Sequence, residues 1–278
     1  NPDISDAFTH IGDEHYNLIV HPYVDAMNMQ ALDDELSDRF GPLRQIDGYA
    51  IAYKRASYAE VVTLGESRNS KFSVVFPAKG ATSPWEWAAA SAAQIAASAQ
   101  IDPARPFQTL ELKGIKTPSL KERFNWAERN AFLFSGVATW KVIAGKVVIE
   151  RVITTYRLNN AGAVDVAFLD LNTLLTLSFI RWDYRNTMLR KFSRHKLAAD
   201  GTRFGSGQKI LTPKSAKAEA LAIFRNWEEA GLVENVDQFK RDLIIERSNS
   251  DANRLDTKMS PDLMNQLRVI GTQIAFLL

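Results

Sequence analysis

The chain has 278 residues, 46% hydrophobic and 24% charged, a composition typical of a globular protein that can bury a sizeable core. Its formal net charge is only +2, with both signs interspersed, so it shows no basic stripe of the kind that marks a nucleic-acid-binding surface. The absence of cysteine excludes disulfides and cysteine-based metal sites, and no apolar run reaches the ~18 residues of a membrane-spanning helix.

The first hundred residues alternate short apolar runs with helical patterns. Strands are predicted at residues 16–20, 49–53 and 72–76, and helices at residues 1–13, 28–40, 58–67 and 85–99. Strands that alternate with helices in this way predict a partial parallel sheet covered by helices, in an α/β fold. Three strands are few for such a sheet, and the chain begins with Asn1 and not with Met. We therefore expect an N-terminal part that is missing from this sequence.

The helix predicted at residues 85–99 is mostly alanine, and small side chains allow another backbone to approach closely. Burial against the sheet is the simpler interpretation. A contact between subunits is the alternative.

Residues 101–118 contain three of the ten prolines and show no clear period, which indicates an extended connection. We place a domain boundary there, giving an α/β domain at 1–113 and an α+β domain at 114–278. The second domain is predicted to contain a hairpin around Ala144-Gly145 whose second strand runs through residues 147–155, followed by a long helix of about 25 residues capped by Asp165. Further helices are predicted at residues 121–134, 213–230 and 237–242, and strands at 243–247, 255–259 and 267–278.

The sequence contains no pattern that clearly indicates a catalytic, metal or cofactor site. The four histidines, His10, His15, His21 and His195, do not share a metal-binding register and read as exposed loop residues. The glycine-rich stretch at 201–209 lacks the register of a phosphate-binding loop, and Ser206 is not placed as in a nucleophile elbow. We therefore predict no catalytic residue, no metal site and no cofactor.

The C-terminus is the most informative stretch for function. Ile270, Ile274, Phe276 and Leu278 lie near one side of the predicted last strand, with no charged tail after them. An exposed apolar strand pairs readily with another chain, so these residues are candidate subunit-interface residues. The alternative is an interior strand of the subunit's own sheet.

Several longer motifs carry a family resemblance. They are FGPLRQIDGYA, SPWEWAAA, DPARPFQTLEL, ERVITTY followed by LDLNTLLTLSFIRWDYR, RHKLAADGTRFG, NWEEAGLVENVDQFKRDLIIER, and NRLD with the later PDLMNQLRV. Together they resemble the C-terminal portion of the Mu-like family of contractile bacteriophage tail sheath proteins.

This resemblance implies a structural subunit and not an enzyme. It implies a helical sheath of identical subunits around an inner tail tube, with baseplate and tail terminator proteins as further partners. Neither direct nucleic-acid contact nor membrane insertion is expected. The sheath would be assembled in the host bacterial cytoplasm, belong to the virion and contract to drive the tube through the host envelope. The sheath of a related secretion or phage-tail-like injection system remains an alternative, as does an α/β enzyme with an unrecognised site.

Overall fold

The computed structural model describes residues 2–275 and 277. Its α-helices, in chain order, are α1 Ser5–Ile11, α2 Ala26–Phe40, α3 Tyr58–Glu66, α4 Pro84–Ile101, α5 Trp126–Phe134, α6 Leu171–Phe192, α7 Pro213–Glu229 and α8 Val236–Asp242. Its strands are β1 Leu18–Val20, β2 Tyr49–Lys54, β3 Ser73–Pro77, β4 Thr139–Ile143, β5 Lys146–Arg151, β6 Lys196–Leu197, β7 Ile210–Leu211, β8 Val233–Glu234, β9 Ile244–Arg247, β10 Leu255–Lys258 and β11 Asp262–Leu263.

The chain divides into two compact units. Unit 1 contains the residues up to Leu175 and those from Leu267 onward, and unit 2 contains Thr176–Gln266. The division therefore falls within α6. The boundary predicted at 113/114 lies inside unit 1 and stays a prediction.

Unit 1 contains the predicted parallel sheet, with strand order β1-β2-β3. Leu18 pairs with Tyr49, and Ala50 pairs with Ser73, both in parallel register. Because β2 and β3 are buried almost throughout, they are near-continuous apolar runs, as expected of a parallel strand covered on both faces. The predicted α/β class, with an α+β part after it, is confirmed.

The alanine-rich helix α4 packs closely within this core. Its Ser83 and Glu86 form a capping box, and Pro84 occupies the first turn, where proline fits. Ala88 and Ser91 are fully buried, and the Ser91 hydroxyl lies 2.5 Å from the Tyr53 hydroxyl. The simpler interpretation, a helix buried on its small-residue face, is confirmed.

Aromatic rings join α4 to the sheet and to the following hairpin. The ring centroids of Tyr53 and Phe76 are 4.7 Å apart, and those of Trp87 and Trp140 are 4.8 Å apart. Trp140 donates its indole N–H to the Pro77 carbonyl at 2.6 Å. The indole is therefore both packed and hydrogen-bonded, which makes Trp140 a core residue.

The predicted hairpin is formed by β4 and β5, which pair antiparallel. Ala144 and Gly145 have φ of 50° and 79°, as a two-residue turn with a right-handed strand twist requires. On the outer side of β5, Leu112 donates its N–H to the Val147 carbonyl at 2.9 Å. A third, irregular strand segment thus covers that edge of the hairpin.

Three predictions for residues 147–192 are wrong in detail. The strand predicted at 147–155 ends at Arg151. The long helix begins at Leu171, and Asp165 does not cap it. The Asp165 carboxylate instead accepts from the Tyr156 hydroxyl at 2.5 Å and from the Ala167 N–H at 2.9 Å, which fixes the loop before the helix.

The helix predicted at 121–134 is interrupted. A short 3₁₀ turn covers Leu120–Glu122, and α5 starts afresh at Trp126. The Asn125 side chain accepts from the Glu128 N–H at 2.9 Å, and the Glu128 carboxylate accepts from the Asn125 N–H at 2.7 Å. This reciprocal capping sets a helix start that the apolar period did not reveal.

Unit 2 is built on α7, which packs against α8 and β9. The rings of Phe224 and Phe239 stack at 4.1 Å, and the Trp227 indole donates to Asp183 Oδ2 at 2.8 Å. β9 pairs antiparallel with β10, β8 with β11, and β6 runs parallel to β7. The amphipathic helix and the strands predicted at 243–247 and 255–259 are confirmed.

Gly65 of α3 is a position where packing requires glycine. A Cβ built there would lie against the Ser135 carbonyl oxygen and 2.6 Å from Val137 Cγ2. We expect Gly65→Ala to lower the free energy of unfolding by about 2–3 kcal/mol, because backbone on the facing segment must move. Chemical denaturation of the 278-residue chain measures this change.

Gly205→Ala is the matched control, since no atom lies within 4 Å of a Cβ at that position. Without a steric clash, alanine at the helical position of Gly65 would stabilise the fold by about 0.5–1 kcal/mol relative to glycine. A Gly65→Ala chain as stable as the parent would therefore contradict the close approach of α3 to residues 135–137.

Candidate subunit-interface surfaces

The C-terminal segment, defined as residues 267–278, carries all four residues predicted at a subunit interface. Ile270 is 77% exposed and Ile274 is 86% exposed. Phe276 and Leu278 lie outside the described residues. Side chains of this size are rarely left in water along a whole segment, so this surface fits an interaction site.

The predicted strand at 267–278 is wrong for residues 267–275 and 277, none of which lies in a helix or strand. The alternative of an interior strand is therefore excluded for the same residues. Apolar spacing predicted a strand correctly in β2 and β3 because a neighbouring backbone lies alongside each of them. Residues 267–275 have the same apolar spacing, but no neighbouring strand of the subunit pairs with them.

The start of the C-terminal segment is held by an ionic cluster, the Asp170 clamp, formed by Arg151, Asp170 and Arg268. Arg268 Nη2 lies 2.8 Å from Asp170 Oδ2, and Arg151 Nε lies 3.3 Å from Asp170 Oδ1. Gln108 also donates to the Leu267 carbonyl at 3.2 Å. Sequence reasoning missed this cluster because its three charges are far apart along the chain.

The hairpin offers an edge for another strand. β4 is joined to β5 on one side, and Ala138, just before β4, donates its N–H to the Val75 carbonyl. Within the part of the chain that the structure describes, the backbone of residues 141–143 forms no interstrand hydrogen bond except those of the hairpin. An unpaired strand edge can accept a strand from another chain.

Other large apolar side chains are also exposed in unit 1. Those in helices or the short 3₁₀ turn are Met27, Trp85, Ile101, Leu120, Trp126 and Phe134. The tryptophans accordingly fall into two groups: Trp87, Trp140 and Trp227 are core residues, whereas Trp85, Trp126 and Trp182 are substantially exposed.

The histidines are not brought together. His10 and His15 are exposed as predicted, but His21 is only 3% exposed, which corrects its prediction as a loop residue in solvent. Neither ring nitrogen of His21 forms a hydrogen bond of ordinary geometry. Burial lowers its pKa to about 4, although the nearby negative charge of Asp33 opposes that shift.

A polar cavity of about 740 Å³ lies in unit 1 beside Asp33, Arg68 and Ser70. Asp33 binds the guanidinium of Arg68 and accepts from the hydroxyls of Ser70 at 2.8 Å and Ser73 at 2.5 Å. A carboxylate with three donors is tied into the structure and is poorly placed to act as a general base.

The glycine-rich stretch at 201–209 is exposed. Among residues 2–275 and 277, no group of three or more His, Cys, Asp or Glu side chains is arranged to hold a metal ion. Over the same residues, no helix has both the length and the apolar character needed to cross a membrane.

Two family models together match nearly all of the chain. The phage tail sheath protein central domain matches residues 1–155, and the phage tail sheath C-terminal domain matches residues 163–276. The chain belongs to the phage tail sheath protein family.

A curated relative supports the Mu-like resemblance. The chain is 43% identical over its whole length to the Mu-like prophage FluMu tail sheath protein of Haemophilus influenzae. It spans 57% of the length of that protein. The resemblance predicted from the sequence motifs is confirmed.

Solved structures show the same fold at low identity. The sheath complex of an extracellular contractile injection system, in its contracted state, is 11% identical with a TM-score of 0.63, covering 94% of this chain and 71% of the other. The sheath tail protein of Listeria innocua is 13% identical with a TM-score of 0.62, and the match covers 91% of this chain and 54% of that protein. The sheath tail protein of Desulfitobacterium hafniense is 12% identical with a TM-score of 0.60, and the match covers 92% of this chain and 58% of that protein.

Proposed function

We propose that the full-length protein is the structural subunit of a contractile tail sheath. Identical subunits polymerise as a helical tube around an inner tail tube, and the sheath contracts to drive that tube through the host envelope. The observation that carries this proposal is the match of both sheath domains along one chain, joined with 43% identity to a prophage tail sheath protein.

The C-terminal segment supplies a physical means of linking subunits. Its apolar side chains Ile270 and Ile274 are exposed, whereas its first residues are tied to unit 1 through Arg268. We propose that this segment pairs with the open edge of β4 in a neighbouring subunit, through main-chain hydrogen bonds that form on assembly. A head-to-tail contact generates a helical array when the rotation between subunits does not close into a ring, which is the geometry that a sheath requires.

The proposed shared sheet contains the hairpin and the C-terminal segment alone. β10 is not included because it forms a two-stranded sheet with β9, separate from the sheet of β4 and β5.

The proposed partners are further copies of this protein, the inner tail tube protein, and the baseplate and tail terminator proteins. The proposed location is the tail of a phage or prophage-derived particle, assembled in the bacterial cytoplasm. A non-enzymatic role is supported by the structural nature of the family.

The sheath of an injection system is the second candidate function. It is supported by the fold shared with an extracellular contractile injection system at a TM-score of 0.63. The identity to that sheath is 11%, against 43% to the prophage protein, which favours the phage or prophage origin.

Negative-stain electron microscopy of the purified full-length protein tests the proposed function. We expect striated tubes whose formation depends on protein concentration. Turnover of a small-molecule substrate by a sample that stays monomeric at every concentration would instead favour the α/β enzyme.

A further inference from the structure

We propose that the Asp170 clamp is a positioning device that fixes the point at which the C-terminal segment leaves unit 1, with Arg268 as the residue that sets this point. The inference rests on the proposed function, since it assigns a role in assembly to the segment that would link two subunits.

The clamp is built on a rigid part of unit 1. Asp170 directly precedes α6, and its own backbone carbonyl accepts from the Leu174 N–H in the first turn. The next residue, Leu171, donates its N–H to the Val152 carbonyl at 3.3 Å, and Asp170 forms an isolated antiparallel bridge with Ile153. The backbone of Asp170 is therefore held on both sides, independently of the arginines that bind its carboxylate.

Two guanidinium groups share this carboxylate. Arg151, the last residue of β5, reaches both oxygens at 3.3 Å, and Arg268 reaches Oδ2 at 2.8 Å. The Asp170 side chain is mostly buried and that of Arg268 is half-buried, so solvent screens the pair less than it would on an open surface. Arg151 ties the carboxylate to the hairpin, and Arg268 ties the C-terminal segment to the carboxylate.

The exposure of the chain changes at this residue. The Leu267 carbonyl accepts from Gln108, and Arg268 is bound to Asp170. Beyond it, the side chains of Val269, Ile270 and Ile274 are all mostly exposed. Among residues 267–275 and 277, Arg268 is thus the last one with a hydrogen bond or ion pair to the rest of unit 1, and the part of the segment that would reach a neighbour follows it.

An anchored starting point matters because it limits the volume that the free segment explores. A segment that starts at a fixed place has a higher effective concentration at a nearby acceptor edge than one that starts several residues earlier. Every subunit of a helical array makes the same link, so a weaker link is repeated at each subunit and lowers tube yield.

The first test follows the start of the segment in the 278-residue chain. The 278-residue chain has no cysteine, so Val269→Cys can carry a nitroxide label without background labelling. We expect Arg268→Gln and Asp170→Asn to sharpen the electron paramagnetic resonance spectrum of this label, which reports greater mobility. Asparagine is also favourable at a helix start, so Asp170→Asn removes the negative charge without placing an unfavourable residue before α6.

Arg268→Lys is the conservative variant. Lysine keeps the positive charge that Arg268 places 2.8 Å from Asp170 Oδ2, and one ammonium group can make that contact. We expect its spectrum to stay close to that of the parent. Arg254→Gln, which removes an exposed surface pair with Asp256, is the control that leaves the clamp intact.

The second test measures pelletable tube mass from the full-length protein with the same substitutions. We expect a several-fold loss for Arg268→Gln, recovery for Arg268→Lys and no change for Arg254→Gln. The proposal is overturned by an unchanged spectrum in Arg268→Gln, and equally by a mobilised label with unchanged tube mass. If the parent protein makes no tubes, both the proposed function and the assembly role of the clamp fail. If the parent makes normal tubes but the label spectrum of Arg268→Gln is unchanged, only the proposed role of the clamp fails.

Discussion

Truncation after Arg268 is expected to abolish tube formation by the full-length protein while leaving the thermal midpoint of the isolated subunit nearly unchanged. The deleted residues include Ile270 and Ile274, which are mostly exposed, so little apolar burial is lost from the subunit itself. The lost main-chain hydrogen bonds are those made with a neighbour, each worth about 1 kcal/mol net, and several act together along one strand.

This truncation keeps the Asp170 clamp, so its effect isolates the exposed part of the segment. A second truncation after Asn265 removes Arg268 as well and serves as a comparison for the contribution of the anchored part. Tube yield is measured by microscopy and pelleting, and the thermal midpoint by calorimetry of the unassembled subunit. A large fall in the midpoint after the shorter deletion would show that the segment is part of the subunit's own core.

The stability of the 278-residue chain is expected to fall by about 3 kcal/mol between pH ~6.5 and ~4 through His21 alone. Its pKa is lowered from 6.5 to about 4 by burial, so the folded state holds the neutral ring where the unfolded chain binds a proton. The stabilising contribution is complete above the unfolded pKa and is lost as pH falls toward the folded one.

Denaturant titrations at pH 7 and pH 4.5 measure this difference. Carboxylates that are hydrogen-bonded in the folded state also lose stability in acid, so the parent must be compared with variants. We expect His21→Gln to flatten the pH dependence, whatever its stability at neutral pH. His15→Gln changes an exposed histidine and should keep the slope of the parent. Equal slopes for the parent and His21→Gln would contradict the burial of an uncharged imidazole.

Local pattern accounts for most of the fold. The buried strands β2 and β3, the Ala144-Gly145 turn and the amphipathic helix α7 are each specified by spacing and turn chemistry within a few residues. The errors occur where a polar side chain forms a hydrogen bond that the pattern of apolar residues does not show. Asp165 was predicted to cap a helix but accepts a hydrogen bond from the Tyr156 hydroxyl. The capping pair of Asn125 and Glu128 starts a new helix within a stretch that was predicted as one continuous helix.

The candidate interface was only partly predictable. Apolar residues at the C-terminus were visible in the sequence, but their exposure and the anchor at Arg268 depend on contacts with residues far away along the chain. The burial of His21 has a similar cause. His21 follows the short strand β1, and its backbone N–H donates to the Ile51 carbonyl of the neighbouring strand β2. This contact places His21 in the core.

A helical reconstruction of tubes formed by the full-length protein tests the central claim most directly, because it shows where residues 269–278 of each subunit lie. We predict that they run as a strand along β4 of a neighbouring subunit, beside residues 141–143, and that Arg268 stays on Asp170 of its own chain. Tubes in which these residues fold back onto their own subunit, with the β4 edge open or paired to another segment, would contradict the account.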